Sequence, residues 1–286
     1  MRVGIDASPI FGDRGGIGVL TDHLLRSLLD LKEDLDLVAY VPPGTLRNGT
    51  IEGWPAAPRL QWVEARRWQM GSRGKTDRLD LFHGTNFKMR TQGRAGGVVT
   101  IPDLWLDRHP EYSTKFLGQR LSFFRTRRTA RRARKVITIS SSSAHDLQEL
   151  YGLSSDHIRV VTLGVSSEFS AEVAANQVAA LKARLRIPDR PYVLFVGGAD
   201  PRKNHRTLVR AFARCRHELK EHVLVLIGDT VHRFGSYQDS VRAEKIEDAV
   251  RCPGRVSSED LRLLYAGAAV FVFPSIYEGF GMPVLE

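Results

Sequence analysis

Short apolar runs rich in Val, Ile and Leu alternate along the chain with longer stretches in which apolar residues recur every three or four positions. The first run, RVGID at residues 2–6, is brief, carries β-branched residues and leads into a Gly-rich turn, so it predicts a strand. Beyond the turn, Leu20, Leu24, Leu28 and Leu31 fall at helical spacing and predict an amphipathic helix. Further strands are predicted at residues 36–41, 60–65, 79–83 and 97–102, then a helix over about 115–133 and a strand at 135–140. A helix over 141–152 opens on serines, which cap helices well, and closes at Gly152. A strand at 158–165 completes this series.

Residues 166–190 are polar and loosely patterned, with a short helix expected near 173–186, and Pro188 and Pro191 punctuate their end. The cycle then restarts. Strands are predicted at 191–198, 222–229, 251–256 and 269–275, with helices from Asn204 to about Cys215, over 236–249 and over 257–268. Strands that alternate with helices of this length argue for βαβ units and parallel sheets. The expectation is an α/β protein of two doubly wound, Rossmann-like domains facing a cleft: residues 1–165, a linker at 166–190, and residues 191–286.

Composition narrows the class without changing this picture. At 286 residues, 42% hydrophobic and 26% charged, the chain can bury two cores. Two cysteines, Cys215 and Cys252, are too few for a disulfide framework or a metal cluster and fit a reducing compartment. The start, MRVGIDASPIF, lacks a basic segment followed by an apolar one, and no apolar run reaches the ~20 residues a membrane span needs. A cytoplasmic protein is expected.

The net charge of +10 favours anionic partners. Much of it is concentrated in Arg120, Arg125, Arg127, Arg128, Arg131, Arg132, Arg134 and Lys135, a stretch without an acid and with Phe123 and Phe124 inside it. Two readings stand: a peripheral contact with an anionic membrane surface, at its inner face, or a solvated Arg-coated helix. No aromatics interleave with the basic residues as stacking platforms, so nucleic acid is not an expected partner.

Three turns could carry chemistry. GDRGGIG (12–18), with Gly15 and Gly16, follows the first strand and opens the first helix; it suits a phosphate or is a plain tight turn. VGGADPRKNHRTL (196–208) repeats that geometry and sets Arg202 and Lys203 just ahead of a helix, where cations oppose the helix dipole but suit a bound phosphate. SIYEGFGMPVLE (275–286) frames Gly279, Phe280, Gly281, Met282 and Pro283 with Glu278 and Glu286. Two carboxylates beside a Gly-rich turn suit pairs of hydroxyls; the plain alternative is a capping and a solvated glutamate. His83 closes a strand as a site residue or as a buried histidine bonded to backbone. Asp34-Leu35-Asp36 spells a DxD but precedes a strand, so a solvated loop is expected. With no cluster at metal-ligand spacing, neither a metal nor another cofactor is expected.

In their order, MRVGIDASPIFGDRGGIG, VVTIPDLWLDRHPEY, RRARKVITISSSSAHDL, IRVVTLGV, YVLFVGGADPRKNHRTLVRAF and VFPSIYEGFGMPVLE resemble the GT-B glycosyltransferases of retaining family 4, which include bacterial mannosyltransferases and sucrose synthases. The last segment matches that family's pair of glutamates with seven residues between them. The resemblance implies transfer of a hexose, of mannose or glucose type, from a GDP- or UDP-sugar to a sugar or lipid-linked hydroxyl. It implies that Glu286 holds the ribose, Glu278 the donor sugar, and the Phe280–Met282 backbone the sugar and phosphate. Lys203, helped by Arg202, would neutralise the diphosphate. Gly15 and Gly16 would close over the phosphates, and Arg255 and Val256 would flank the base. Family members commonly have His before Asp103, where this chain has Pro102, and Arg or Thr after the glycine of the second phosphate loop, where it has Gly198. Glu278, Asp103 and Lys203 are the catalytic candidates, and a non-catalytic nucleotide-sugar-binding module is the alternative. Since family members continue past this motif, the chain resembles a C-terminally truncated one. Glu286 is then expected to be poorly held and transfer to be weak.

Overall fold

The computed structural model describes the chain except residues 12–15, 32–33, 48, 55, 67–68, 71–72, 74–75, 90–95, 114–115, 171 and 233, and the side chains of 116, 117, 119 and 120. The described residues form two compact units, Met1–Thr162 and Leu163–Glu286.

The first unit is built on seven parallel strands: β1 (Arg2–Asp6), β2 (Asp36–Val41), β3 (Leu60–Glu64), β4 (Leu81–Gly84), β5 (Gly96–Thr100), β6 (Lys135–Thr138) and β7 (Ile158–Val160). Their order is β3-β2-β1-β4-β5-β6-β7, so the chain starts in the middle and winds outward in both directions. The alternation along β2 shows why the run is apolar throughout. Leu37, Ala39 and Val41 join Ile5 and Leu25 in one core, whereas Val38 and Tyr40 join Phe82 in the core on the opposite face. Helices α1 (Gly16–Asp30), α2 (Trp105–Arg108), α3 (Phe116–Arg132) and α4 (Ser141–Tyr151) belong to this unit. The serine cap of α4 forms as expected: the Ser140 hydroxyl accepts from the Ser143 N–H at 3.0 Å. Its other end closes at Gly152 with φ 66°. There Arg127 and Arg131 of α3 donate to the Tyr151 carbonyl at 3.4 and 3.2 Å, placing positive charge on the carbonyl end of a helix.

The second unit holds four parallel strands, β8 (Tyr192–Val196), β9 (Val223–Ile227), β12 (Val250–Gly254) and β13 (Val270–Phe271), in the order β12-β9-β8-β13. A small antiparallel pair, β10 (Val231–His232) and β11 (Gly235–Ser236), lies outside this sheet. Helices α5 (Ala175–Arg184), α6 (His205–Arg214), α7 (Tyr237–Glu244) and α8 (Ser258–Gly267) supply both coverings. One face buries Phe195, Leu224 and Leu226 with Val209, Phe212 and Tyr237; the other buries Leu194, Val223 and Val225 with Leu181, Leu263 and Leu264.

Three expectations change. Residues 166–190 are no free linker: Leu181 and Ile187 are buried in the second unit's core, and the division falls after Thr162. The strand expected at 269–275 shrinks to Val270–Phe271, an edge strand whose continuation reaches Pro274, which has no N–H to donate. The strand expected at 158–165 ends at Val160.

Candidate functional site

In the second unit the chain leaves the carboxyl ends of adjacent strands β8, β9, β12 and β13 in neighbouring loops. The loop after β8 depends on a close backbone approach. Gly228, at φ 126°, sits so near that an added Cβ would lie 1.8 Å from the Gly197 carbonyl oxygen. Asp200 then opens one 3-10 turn, Pro201–Lys203, by accepting from the Arg202 N–H at 2.9 Å. Asn204 takes the left-handed conformation, φ 56°, that Asn tolerates better than most residues, and α6 begins directly after it.

Three consecutive residues of this turn bind the segment that follows β13. The Ile276 N–H donates to the Arg202 carbonyl at 2.9 Å, and Asn204 Nδ2 donates to the Pro274 carbonyl at 3.1 Å. Between them, Lys203 Nζ donates to Glu278 Oε1 at 2.6 Å. The ion pair is largely enclosed, with 14% of the lysine and 17% of the glutamate side chain exposed, and Lys203 Nζ also lies 5.6 Å from the centre of the Phe273 ring. A lysine held this way carries a charge that an incoming anion can claim only by displacing a carboxylate. Arg202, the second cation of the turn, lies 3.6 Å from Asp200 through Nε.

Past Glu278 the chain turns at Gly281, φ 91°, into a 3-10 turn at Met282–Val284 that has Pro283 within it. The Glu286 N–H donates to the Met282 carbonyl at 3.2 Å, and its Oε2 accepts from the Tyr265 hydroxyl at 3.1 Å. Burial pushes the Glu286 carboxyl above its ordinary range, while the bond from Tyr265 acts the other way. Glu286 is therefore held, contrary to expectation. Tyr265 reaches it from α8, its ring edge-on to Phe271 at 5.2 Å. Arg255 grips Asp229 with both nitrogens, at 2.5 and 2.7 Å, in an exposed pair that holds the Asp229 carboxyl low. Val256 packs against the apolar core on the α8 side.

Arg202, Lys203 and Glu278, separate candidates in the sequence, lie in the same unit, and their stitching was not legible there. Asn204 and Tyr265 escaped it; an Asn between a Pro-initiated turn and a helix was the available signal for the first, and none marked the second.

The remaining candidates lie in the first unit. Gly16 begins α1 in open space, and Gly15 lies outside the described residues. Asp103 follows β5 and accepts from the Trp105 N–H at 3.1 Å, which starts α2. Pro102 contributes its carbonyl to the Ser143 hydroxyl at 2.8 Å. His83 is buried, 7% exposed, and its Nε2 meets the Thr100 hydroxyl at 2.8 Å, a side-chain partner where backbone was expected. Burial drops its pKa to about 4, so it is neutral near pH 7. Asp34 and Asp36 are exposed at the amino end of β2. Among the described residues no group of three or more His, Cys, Asp or Glu could hold a metal ion, and no helix is long and apolar enough to cross a membrane. On α3, Leu121 and Phe124 are 51% and 60% exposed and share a face with exposed Arg125, Arg128 and Arg132.

Comparison with known proteins agrees with this architecture. A family model described as Glycosyltransferase Family 4 matches residues 14–169, and one described as Glycosyl transferases group 1 matches residues 178–286. O-antigen chain mannosyltransferase B of Escherichia coli is 29% identical over 214 residues, covering 72% of this chain and 54% of that protein. The chain thus spans about half the length of this relative. Sucrose-phosphate synthase from Thermosynechococcus elongatus superposes with a TM-score of 0.70 at 18% identity, over 99% of this chain and 77% of the other. Anabaena Alr3699/HepE, solved in complex with UDP-glucose, superposes with a TM-score of 0.67 at 14% identity, over 97% and 74%. With one family model covering more than half of its length and a second covering most of the rest, the chain belongs to glycosyltransferase family 4 and has the GT-B fold.

Proposed function

We propose that the chain carries the machinery of a retaining hexosyltransferase that moves a mannose- or glucose-type sugar from a GDP- or UDP-sugar to a hydroxyl of a sugar or lipid-linked acceptor. The observation that supports this most is the enclosed Lys203–Glu278 pair where the loops after β8 and β13 meet, since open α/β sheets bind ligands at the carboxyl ends of their strands. In this reading the donor diphosphate takes the Lys203 ammonium, with Arg202 beside it, and frees the Glu278 carboxylate for hydroxyls of the donor sugar. The Phe280–Met282 backbone lines sugar and phosphate, Glu286 accepts from the ribose hydroxyls, and Arg255 with Val256 flanks the base. In the first unit, Asp103 takes part in the reaction and the Gly15–Gly16 turn in holding phosphate.

Transfer breaks the bond from the anomeric carbon to the diphosphate oxygen and forms one from that carbon to the acceptor oxygen on the same face. The acceptor proton passes to the departing diphosphate. The protein then contributes orientation and fixed positive charge where negative charge develops. Lys203 and Arg202 supply that charge, so the reading calls for no resident metal or cofactor. The Escherichia coli relative named a mannosyltransferase supports a mannose-type donor, and the UDP-glucose complex of the Anabaena protein supports a nucleotide-linked one. The test is transfer of isotope-labelled sugar by the chain and by Lys203→Ala and Glu286→Ala. Losses of at least about 100-fold, or roughly 2.7 kcal/mol in the transition state, are expected; undiminished transfer in both variants would refute the site.

Pro102 favours a second reading. It offers no side-chain donor, and its carbonyl is already bonded to Ser143. A non-catalytic nucleotide-sugar-binding module would bind UDP or GDP in calorimetry yet neither transfer nor hydrolyse the donor. The exposed face of α3 supports a peripheral partner, an anionic membrane surface at which a lipid-linked acceptor sits. Each Arg near such a surface contributes ~1 kcal/mol. Flotation with anionic liposomes, strong at low salt and weak at high salt, is expected; equal recovery with neutral liposomes would contradict it.

A further inference from the structure

The amino-terminal edge of the second sheet, opposite the edge that carries Lys203 and Glu278, contains a recess of about 250 Å³ that the donor reading does not use. Its walls come from the starts of three adjacent strands. Arg190 precedes β8, His222 precedes β9, and Arg251 is the second residue of β12; Arg216, just past α6, and Asp248 close the sides. Three guanidinium groups thus face one carboxylate.

Most of this positive charge is uncommitted. Among the described residues the Asp248 carboxylate engages only Arg216, at 2.5 Å. Arg251 is anchored by carbonyls, its Nε donating to Arg186 and its Nη1 to Asp248 and Val250 at 3.2, 3.1 and 2.8 Å, and among the described residues no bond draws on its Nη2. Arg190 is held through its backbone, with its N–H donating to the Pro188 carbonyl at 2.8 Å and its carbonyl accepting from Lys182 at 3.1 Å, and among the described residues no bond engages its guanidinium. His222 Nδ1 is buried without a hydrogen-bond partner among the described residues. A buried imidazole nitrogen left unpaired is uncommon, because it forgoes the bond that water would give. Arg216 also borders a second recess with His217 and Lys220, which extends the cationic surface.

We propose that this recess is a binding site for a phosphate group, separate from the donor site. With the charge of Asp248 offset by Arg216, Arg190 and Arg251 leave two uncompensated positive charges, matching a phosphate dianion. Guanidinium groups donate to phosphate oxygens, Arg190 through its fork of N–H groups and Arg251 through Nη2. The group arrives either as inorganic phosphate or as the phosphate monoester of a small metabolite. A ligand there touches the starts of β8, β9 and β12, whose carboxyl ends lead into the loops carrying Lys203, Asp229 and Arg255.

Calorimetric titration of the full chain at constant ionic strength tests this, with inorganic phosphate in one arm and methyl phosphate in another. The variants are Arg190→Ala, whose guanidinium makes no bond that folding needs, Arg251→Ala, and Lys203→Ala as the donor-site control, each checked for folding by circular dichroism. Expected are saturable binding of at least one probe to the chain and to Lys203→Ala, with affinity lowered at least about tenfold in Arg190→Ala and further in Arg251→Ala. The stronger arm identifies free phosphate or monoester as the source. Absence of binding at 10-fold above physiological phosphate, roughly 10 mM or more, would overturn the proposal, as would equal binding by folded Arg190→Ala, or a loss confined to Lys203→Ala. None of these results bears on sugar transfer, so the two readings stand or fall separately.

Discussion

Replacing Lys203 by Met keeps the side-chain stem that packs beside Gly197 and Phe273 but removes the ammonium from Glu278. The carboxylate that remains is only 17% exposed, so little water reaches it to replace a partner at 2.6 Å. Breaking a fully buried pair from one side costs ~3–5 kcal/mol; the residual exposure of both groups lowers the expectation to about 2–3 kcal/mol. Lys203→Met/Glu278→Gln removes the stranded charge and should recover at least about 1.5 kcal/mol; with Glu278→Gln alone, which strands the lysine, completing the double-mutant cycle, the coupling is at least that large. The measurement is urea unfolding followed in two ways. All four tryptophans of the sequence fall between residues 54 and 105, and the described ones, Trp54, Trp62 and Trp105, belong to the first unit, so fluorescence reports that unit, whereas far-ultraviolet circular dichroism reports both. The loss should appear in the dichroism transition. Coupling below about 0.5 kcal/mol, the level of an exposed pair, would refute the reasoning.

Other outcomes follow from the same geometry. Gly228→Ala drives a Cβ into the Gly197 carbonyl and should cost at least about 3 kcal/mol, with loss of nucleotide binding; a fully stable variant would contradict the close approach. Gly281→Ala meets only the Phe273 ring, at 3.6 Å, so its cost is the strain of φ 91°, about 1–2 kcal/mol by urea titration. His83 and His205 both have folded pKa values lowered by burial to about 4 against an ordinary 6.5. Their neutral forms support folding fully above pH 6.5, and that support is lost as pH falls toward 4 because the unfolded chain takes up the proton first. The loss is at most about 3 kcal/mol for each. His83→Gln should flatten the tryptophan-reported decline between pH 6.5 and 4, and an unchanged slope would exclude His83 as its cause.

The fold was legible wherever burial acts along the chain. Strands covered on both faces read as unbroken apolar runs, as in DLVAYV and VLVLI, and capping serines and terminal glycines marked helix ends within a residue or two. Helices that bury little formed near their expected bounds, and what the sequence hid was their packing. In α5 only Leu181 is buried, so its segment read as a linker, and α3 packs through Thr126 and Ala130, which hides its buried face among arginines. Site residue types were legible as local motifs, but their partnerships were not. Lys203 and Glu278 lie 75 residues apart, and Tyr265 and Glu286 21 apart, joined only once strands β8 and β13 pair and α8 packs behind them. His83 shows the same limit, since its partner Thr100 comes from the adjacent strand β5.

Calorimetric titration with GDP and with UDP, run on the chain and on Lys203→Ala, addresses the donor site most directly. One of the two nucleotides should bind saturably at a single site, and Lys203→Ala should weaken it at least about 30-fold, roughly 2 kcal/mol for a lost charge-assisted contact to the diphosphate. Binding of neither nucleotide by the folded chain, or equal affinity in the folded variant, would contradict the assignment of Lys203 and Glu278 to a nucleotide-sugar site.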